Sequence, residues 1–249
     1  MAIVLEAKNV TKIYGRSQRP SLDKVSFCVA EGEFIGIMGA SGSGKTTLLN
    51  VLSTIDTPTS GDVWIRGINL KKLNNTKAAD FRKDNLGFIF QEYFLLDSLT
   101  IGENIAVPLT IQKIPPEKIE SMVQNLAERF DISAQLNKYP NELSGGQRQR
   151  ASAARAIIKQ PGLLFADEPT GALDSGSATE LLNALQEANQ ELHTTILMVT
   201  HDAYAASFAN RILLFKDGCI IREIFKKNAD RSGFYEAIIE EVRKLDTKR

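Results

Sequence analysis

The sequence predicts an α/β protein with a mostly parallel core sheet, an antiparallel β region near its N-terminus and an inserted helical subdomain. Short apolar runs at 33–38, 163–166 and 195–199 each lead into polar or glycine-rich residues, as buried strands of a parallel sheet do. Residues 92–158 instead carry apolar side chains at helical spacing. The composition, 43% hydrophobic and 24% charged over 249 residues, is ordinary for a globular chain with a large core.

The first elements along the chain are predicted to be strands. Residues 4–10 and 25–30 alternate or cluster apolar side chains, which is typical of strands. Glu31-Gly32 forms a turn before the apolar run 33–38. A further short strand is expected at 63–67. These segments account for the antiparallel β region and for the entry into the core sheet.

A phosphate-binding loop follows the strand at 33–38. Residues 39–46 fit the pattern G-x-x-x-x-G-K-[ST], and the helical segment 47–52 comes next, so the required order of strand, loop and helix is present. Backbone N–H groups at such a helix start favour phosphate, and we expect a nucleoside triphosphate as the ligand. Lys45 would reach the β- and γ-phosphates, and the Thr46 hydroxyl would bind Mg²⁺. The predicted nucleotide-binding residues here are Gly39, Ser41, Gly42, Ser43, Gly44, Lys45, Thr46 and Thr47.

Two other apolar strands end in residues suited to hydrolysis. The run 163–166 is followed by Asp167 and Glu168, at the edge where ligands bind in open α/β sheets. Asp167 would hold Mg²⁺ through water, since this ion gives up its hydration shell reluctantly. Glu168 would polarise the attacking water. His201, after the run 195–199, would hydrogen-bond a γ-phosphate.

The middle and the end of the chain are predicted to be helical. Apolar residues recur at helical spacing between 119 and 130, and prolines at 115, 116 and 140 bound that region. We therefore divide a single domain into a core at 1–91 and 160–228, a helical subdomain at 92–159 and a C-terminal helix at 229–249. The apolar residues that mark the last helix are Phe234, Ile238, Val242 and Leu245.

The overall composition excludes several classes of protein. Lys and Arg number 30 and balance 30 Asp and Glu, so no basic excess points to nucleic acid. Nothing approaches eighteen consecutive apolar residues, and the start of the chain does not resemble a secretion signal. Cys28 and Cys219 lie at no metal-ligand spacing, and we predict them to be buried thiols.

The segment Leu-Ser-Gly-Gly-Gln at 143–147, with the phosphate loop and the acidic strand end, resembles the ATP-binding subunits of ABC transporters over residues 3–225. Ser144 is a good helix N-cap, whereas two glycines in a first helical turn are unfavourable, so we expect close backbone approach to a γ-phosphate there. The resemblance implies the fold of a P-loop NTPase with a RecA-like core, and roles for residues outside the loop. Tyr14 would stack on adenine, Gln91 would contact Mg²⁺ and the attacking water, and Asp174 would lie at a subunit interface. The segment placed against the opposite subunit's nucleotide comprises Ser144, Gly145, Gly146 and Gln147.

The resemblance also implies partners. ATP would join two copies head-to-tail, and the dimer would drive a separate integral membrane permease from the cytoplasmic face of the cell membrane. Whole segments at 34–41, 52–56, 88–97 and 166–174 look like the Bce-type ATPases, which serve resistance to cell-wall-directed antimicrobial peptides such as bacitracin or lantibiotics. That type is linked to sensor histidine kinases through its permease.

Several alternatives stay open at the level of sequence. The wider group includes lipoprotein-release, cell-division and macrolide-export complexes, and a nucleotide-dependent signalling module is a further interpretation. Soluble ABC ATPases of DNA repair or translation fit less well, because no long coiled coil or second such domain is present. The apolar cluster Phe94, Leu95, Leu96 and Leu99 could be buried or could form a groove for the permease. Gly171 departs from the serine more usual in the family.

Overall fold

Two β-sheets organise the computed structural model, which describes residues 2–15 and 19–246. A four-stranded antiparallel sheet has the order β2-β1-β4-β5, and a six-stranded sheet has the order β10-β9-β3-β8-β7-β6. The strands are β1 Ile3–Lys12, β2 Leu22–Ala30, β3 Phe34–Met38, β4 Ser60–Ile65, β5 Ile68–Asn69, β6 Leu86–Phe90, β7 Leu163–Asp167, β8 Ile196–Thr200, β9 Arg211–Lys216 and β10 Cys219–Phe225. The helices are α1 Lys45–Leu52, α2 Asn75–Asn85, α3 Ile101–Ile111, α4 Pro116–Arg129, α5 Gly145–Ile157, α6 Ser175–Glu191, α7 Ala203–Ala206 and α8 Arg231–Asp246.

The six-stranded sheet confirms the predicted mostly parallel core. Strands β9, β3, β8, β7 and β6 are parallel neighbours, and only β10 runs antiparallel, in a hairpin with β9. Strand β7, which carries Asp167, is an interior strand next to β8, as the sequence predicted. Because parallel strands share one carboxyl edge, the segments after β3, β6, β7 and β8 meet there.

The core sheet is buried on both faces, which explains its nearly continuous apolar strands. Ile35 and Ile37 of β3 pack in a cluster with α1 and the antiparallel sheet. Phe34 and Met38, which alternate with them, belong to a second cluster with the helices on the other face. Helix α1 therefore lies between the two sheets, and the phosphate loop enters it directly from β3.

The predicted helical insertion contains α3, α4 and α5. Helix α3 begins with a capping box, in which the Thr100 hydroxyl accepts from the Glu103 N–H and the Glu103 carboxylate accepts from the Thr100 N–H. Helix α4 buries Val123, Leu126 and Ala127 on one face, in agreement with the predicted spacing.

Three local predictions were wrong. Strand β4 ends at Ile65, because Arg66 and Gly67 form a turn with φ of 49° and 76°. Cys28 is exposed, since alternation along β2 places it on the outer face beside buried Val29. Cys219 is half-buried at the start of the edge strand β10, where its thiol donates to the carbonyl of Asp23 at 3.7 Å.

The C-terminal helix α8 docks on the core. Phe234 and Ile238 are buried, and the Arg231 guanidinium lies over the Phe208 ring, 4.6 Å from its centroid. The side chain of Leu245, also predicted to mark this helix, lies outside the described residues. Among the helices that the structure describes, none is both long and apolar enough to cross a membrane.

Candidate functional site

A cavity of about 1040 Å³ opens at the carboxyl edge of the core sheet. It brings together residues that the sequence had predicted from four separate segments. The predicted residues in its lining are Ser41, Gly42, Ser43, Gly44, Lys45, Thr46, Thr47, Gln91, Glu168 and His201. The ends of β3, β6, β7 and β8 thus converge on one site, as their shared strand direction requires.

The phosphate loop leaves the first turn of α1 open to an anion. Gly44 stands at the N-cap with φ of 105°, and none of the described side chains caps this helix end. A side chain at Gly44 would overlap the carbonyl oxygen of Ser21, so the position requires glycine for space as well as for conformation. The backbone N–H groups that begin α1 therefore point at the cavity with the positive end of the helix dipole.

Lys45 folds back over the loop. Its buried ammonium donates to the carbonyl oxygens of Gly39 and Ala40 at 2.8 and 3.1 Å. The Glu168 Oε1 atom lies 3.8 Å away. Lys45 thus joins Gly39, which is not in the cavity wall, to the carboxylate at the end of β7.

Glu168 and His201 form a contact pair across β7 and β8. The Glu168 Oε2 atom is 2.9 Å from Nδ1 of His201 and accepts the His201 backbone N–H at 3.3 Å. Glu168 has φ of 46°, in the left-handed region, which costs about 1 kcal/mol or more for a residue other than glycine. Such strain is common at functional sites, and here it accompanies a carboxylate directed between Lys45 and His201.

Asp167 lies beside the phosphate loop with unused acceptor capacity. Burial and the neighbouring Glu168 raise the pKa of its carboxyl, whereas Lys45 and a hydrogen bond from the Thr46 hydroxyl act in the opposite direction. Its Oδ1 atom is buried and has no hydrogen-bond partner among the described residues. With Thr46 and Gln91 this carboxylate offers the hard oxygen ligands that Mg²⁺ prefers, so these three residues suit the predicted ion.

Tyr14 lies outside the cavity wall but remains linked to the loop. Its ring is 46% exposed, and its hydroxyl donates to Asp56 Oδ2 at 2.7 Å. The Thr47 side chain also hydrogen-bonds to the Tyr14 hydroxyl. The aromatic ring therefore stands next to the last residue of the phosphate loop.

The segment Ser144 to Gln147 is not among the described residues that line the cavity. Ser144 caps α5, as predicted, because its hydroxyl accepts the Gln147 N–H at 3.3 Å and the Gln147 side chain accepts the Ser144 N–H at 3.0 Å. Gly146 is also constrained within the chain, since it is buried and a Cβ there would lie 2.6 Å from the Ser177 Cβ. Close packing on α6 therefore requires Gly146, whatever this segment binds.

Asp174 and Gln149 have positioning contacts that sequence reasoning missed. Asp174 caps α6, and its carboxylate accepts the backbone N–H groups of Gly176 and Ser177, both at 3.0 Å. These hydrogen bonds hold the pKa of Asp174 below its usual value. The aspartate before Ser-Gly-Ser was a readable N-cap signal. Buried Gln149 donates to the carbonyl oxygens of Phe90 and Pro169 at 2.9 and 2.7 Å, a contact across the fold without a local sequence signal.

Residues 22–171 match the ABC transporter family. This chain is an ATP-binding subunit of that family. It is 50% identical over 238 residues to the bacitracin export ATP-binding protein BceA of Halalkalibacterium halodurans, covering 95% of this chain and 94% of that protein. It is 49% identical to the ABC transporter ATP-binding protein YxdL of Bacillus subtilis, covering 96% and 93%. The subunit is therefore an ATPase of a transporter, as the sequence predicted.

A solved structure supports the fold and the activity of the subunit. The dimeric ATP-binding cassette MJ0796 in a post-hydrolysis state, bound to ADP and Pi, matches with a TM-score of 0.82 and 36% identity. The alignment covers 90% of this chain and 99% of that one. Products of ATP hydrolysis in a similar protein agree with the ATPase activity of the subunit.

A second cavity, of about 700 Å³, lies beside Gln91 in the ATP-binding subunit. The apolar cluster after Gln91 divides between the two predicted alternatives. Leu95 packs against the core, whereas Phe94 and Leu96 are 60% and 48% exposed. Phe94 and Leu95 line this cavity with Tyr93 and Arg148. Part of this short segment is therefore packed on the core, while another part lines an open groove.

Proposed function

We propose that two copies of this subunit close head-to-tail around ATP and drive a separate permease that protects the cell wall from antimicrobial peptides such as bacitracin or lantibiotics. The observation that carries the dimer is the separation of the two motifs. The cavity holds the phosphate loop with Gln91, Glu168 and His201, but Ser144 to Gln147 are not in its described lining. A two-fold axis would supply that segment from the second copy and complete two sites at once.

Within each site the cationic and basic groups have separate tasks. Lys45 exchanges its two loop carbonyls for the β- and γ-phosphates of ATP. Glu168 accepts a proton as water attacks the γ-phosphate. Glu168 accepts from Nδ1 of His201, so Nε2 faces the γ-phosphate and donates to its oxygen in the form of the ring that carries a proton on both nitrogens. Tyr14 stacks on adenine, and Asp174 lies at the interface between the copies.

Thr46, Asp167 and Gln91 are the residues proposed to hold Mg²⁺. The Thr46 hydroxyl hydrogen-bonds to the Asp167 carboxylate, whose buried Oδ1 atom has no hydrogen-bond partner among the described residues. When bound, the ion would neutralise charge on the β- and γ-phosphates. The contact between Asp167 and Thr46 keeps both oxygens close together before the ion binds.

The groove beside Gln91 is the proposed contact with the permease. Exposed Phe94 offers apolar area there, and Arg148 lies over the Tyr93 ring at 5.1 Å. A permease segment bound in this groove would touch the residue next to the hydrolytic site, which couples closure to transport. In this proposal the subunit works at the cytoplasmic face of the membrane and is linked to a sensor histidine kinase through the permease.

Glu168→Gln tests the dimer. The amide preserves shape but cannot accept the proton of water, so ATP should persist between the copies and hold them together. We expect gel filtration with ATP and Mg²⁺ to give a dimer for this variant and a monomer without nucleotide. Glu117→Gln, at an exposed position of α4, is the matched control and should give no trapped dimer. A Glu168→Gln protein that stays monomeric with ATP and Mg²⁺ would contradict the proposal.

The peptide class requires the membrane partner. The similarity to a bacitracin export protein supports this class over lipoprotein release, cell division or macrolide export. After copurification of the permease with this subunit, bacitracin or a lantibiotic should raise the rate of phosphate release, whereas a macrolide should not. Stimulation by a macrolide alone would favour the macrolide-export alternative.

A further inference from the structure

Tyr14 is exposed, yet its side chain is in contact with Asp56, Lys12 and Thr47. We propose that Asp56 and Lys12 are positioning residues that fix this ring as a one-sided platform for the base of ATP. The inference rests on the proposed function, in which Tyr14 stacks on adenine. It adds two residues to which the sequence analysis gave no role, and states how each acts through Tyr14.

Asp56 fixes the hydroxyl end of the ring. Its Oδ2 atom accepts the Tyr14 hydroxyl at 2.7 Å. Its Oδ1 atom accepts the Lys12 ammonium at 2.6 Å and the Thr57 N–H at 2.7 Å. Both carboxylate oxygens are therefore engaged, and the carboxylate itself has little freedom. Although burial opposes ionisation, the donors on Lys12 and Tyr14 hold the pKa of Asp56 below its usual value.

Lys12 fixes which face of the ring is available. Its ammonium lies over the Tyr14 ring, 4.8 Å from the centroid, a geometry that is attractive for a cation and an aromatic face. The same ammonium donates to the Thr57 carbonyl at 2.8 Å, and its side chain is only 11% exposed. Because this face is covered by a buried group, a planar base can stack only on the opposite face.

The clamp also joins the base platform to the phosphate loop. Tyr14 lies two residues after the end of β1, whereas Asp56 lies four residues after the end of α1, the helix that follows the phosphate loop. The Thr47 side chain, in the first turn of α1, hydrogen-bonds to the Tyr14 hydroxyl. A ring that is ordered before binding loses less rotamer freedom when the base arrives, so the clamp favours binding without touching the nucleotide.

Tyr14→Phe is the sharpest test, because it removes the hydroxyl and keeps the ring. We expect ATP to bind about fivefold more weakly to the full-length protein, with a matching rise in KM. Inorganic tripolyphosphate, which has no base, should bind as it does to the wild type. Tyr235→Phe, at another exposed tyrosine, should leave both ligands unaffected. Asp56→Ala should resemble Tyr14→Phe, and the double variant should be no weaker than either single variant, since both changes release the same ring.

The outcomes separate this inference from the proposal on which it rests. Tyr14→Ala removes the ring and should weaken ATP binding more than Tyr14→Phe does. If Tyr14→Ala binds ATP like the wild type, base stacking itself is wrong. If Tyr14→Ala weakens ATP binding but Tyr14→Phe does not, stacking stands and the clamp is overturned. Equal losses for ATP and tripolyphosphate would place the defect in the phosphate loop and would also overturn it, and thermal unfolding of each variant checks that Asp56→Ala remains folded.

Discussion

The two glycine-rich helix starts, at α1 and α5, are organised in opposite ways. Helix α1 begins after Gly44 in a left-handed conformation, and none of the described side chains caps it. Helix α5 begins after Ser144, and a capping box with Gln147 satisfies two of its backbone donors from within the chain. The first helix start leaves its donors for a ligand, whereas the second is complete before any ligand arrives.

This difference fits the proposed roles of the two helix starts, since α1 would bind the nucleotide of its own copy and α5 would contact that of the second copy. The α1 site can bind the triphosphate within one copy, since the loop, Lys45 and the strand ends share one cavity. The start of α5 has to stay ordered while it is exposed to solvent, until the second copy brings the phosphates of its nucleotide to it. The Ser144 hydroxyl accepts the Gln147 N–H, which leaves its own O–H available as a donor to a phosphate. Variants that affect one helix start and spare the other test this comparison.

The largest effect is expected at the α1 end. Lys45→Ala removes the cation that faces the phosphates and should abolish ATP binding and hydrolysis, with a loss of about a hundredfold or more in rate. Binding of a fluorescent ATP analogue and steady-state phosphate release measure the two steps. Lys118→Ala, at an exposed position of α4, should behave as the wild type. Turnover like that of the wild type in Lys45→Ala would refute the assignment of the phosphate loop.

At the α5 end we expect hydrolysis to fall while the binding of ATP to the isolated subunit is kept. Ser144→Ala removes the hydroxyl proposed to reach the nucleotide of the second copy, and phosphate release should drop by about tenfold to a hundredfold. It also removes a helix cap, which costs about 1 kcal/mol of stability. Thr100→Ala is the matched control, because it breaks a capping box of the same type at α3 and should cost stability without this loss of rate.

Mixing the two defective proteins decides whether the α5 segment acts across the dimer. A mixed head-to-tail pair of Lys45→Ala and Ser144→Ala has one site with both defects and one site with neither. The mixture should therefore regain phosphate release that neither protein has alone. A rate equal to the average of the two separate proteins would mean that each copy uses its own Ser144, or that the segment serves no nucleotide.

Local patterns were sufficient for the fold and for most of the site. The phosphate loop, the strand ends at Asp167 and His201, and the cap at Ser144 each depend on a few consecutive residues, and the parallel sheet then brings them together. The helical spacing between 119 and 130 also predicted the buried face of α4. Such features need no knowledge of distant contacts.

Contacts between distant segments could not be predicted from one sequence. Asp56 reaches Tyr14 across 42 positions, and Gln149 joins Phe90 to Pro169 through the interior. Cys28 was expected to be a buried thiol because it lies at no metal-ligand spacing, but the register of β2 places it on the exposed face. In each case a strand register or a helix packing angle determines which side chains meet. Neither the register nor the angle can be predicted from a few consecutive residues.

Gly146 gives the smallest effect and separates packing from ligand binding at the α5 start. In Gly146→Ala the new methyl group would press on the side chain of Ser177, whose hydroxyl donates to Asp174 at 2.8 Å. Overpacking should destabilise this variant by about 1–3 kcal/mol, whereas the better helix propensity of alanine should stabilise it by up to about 1 kcal/mol. Urea should therefore unfold the variant at lower concentration than the wild type.

Gly145→Ala, whose methyl group meets only the end of the Tyr93 side chain, is the control for helix propensity. Adding Ser177→Gly should recover part of the loss in a double-mutant cycle, because it removes the atoms in contact. If both glycine variants are equally stable and the second change recovers nothing, packing on α6 does not require Gly146, and the close approach of a nucleotide would again be the better explanation for it.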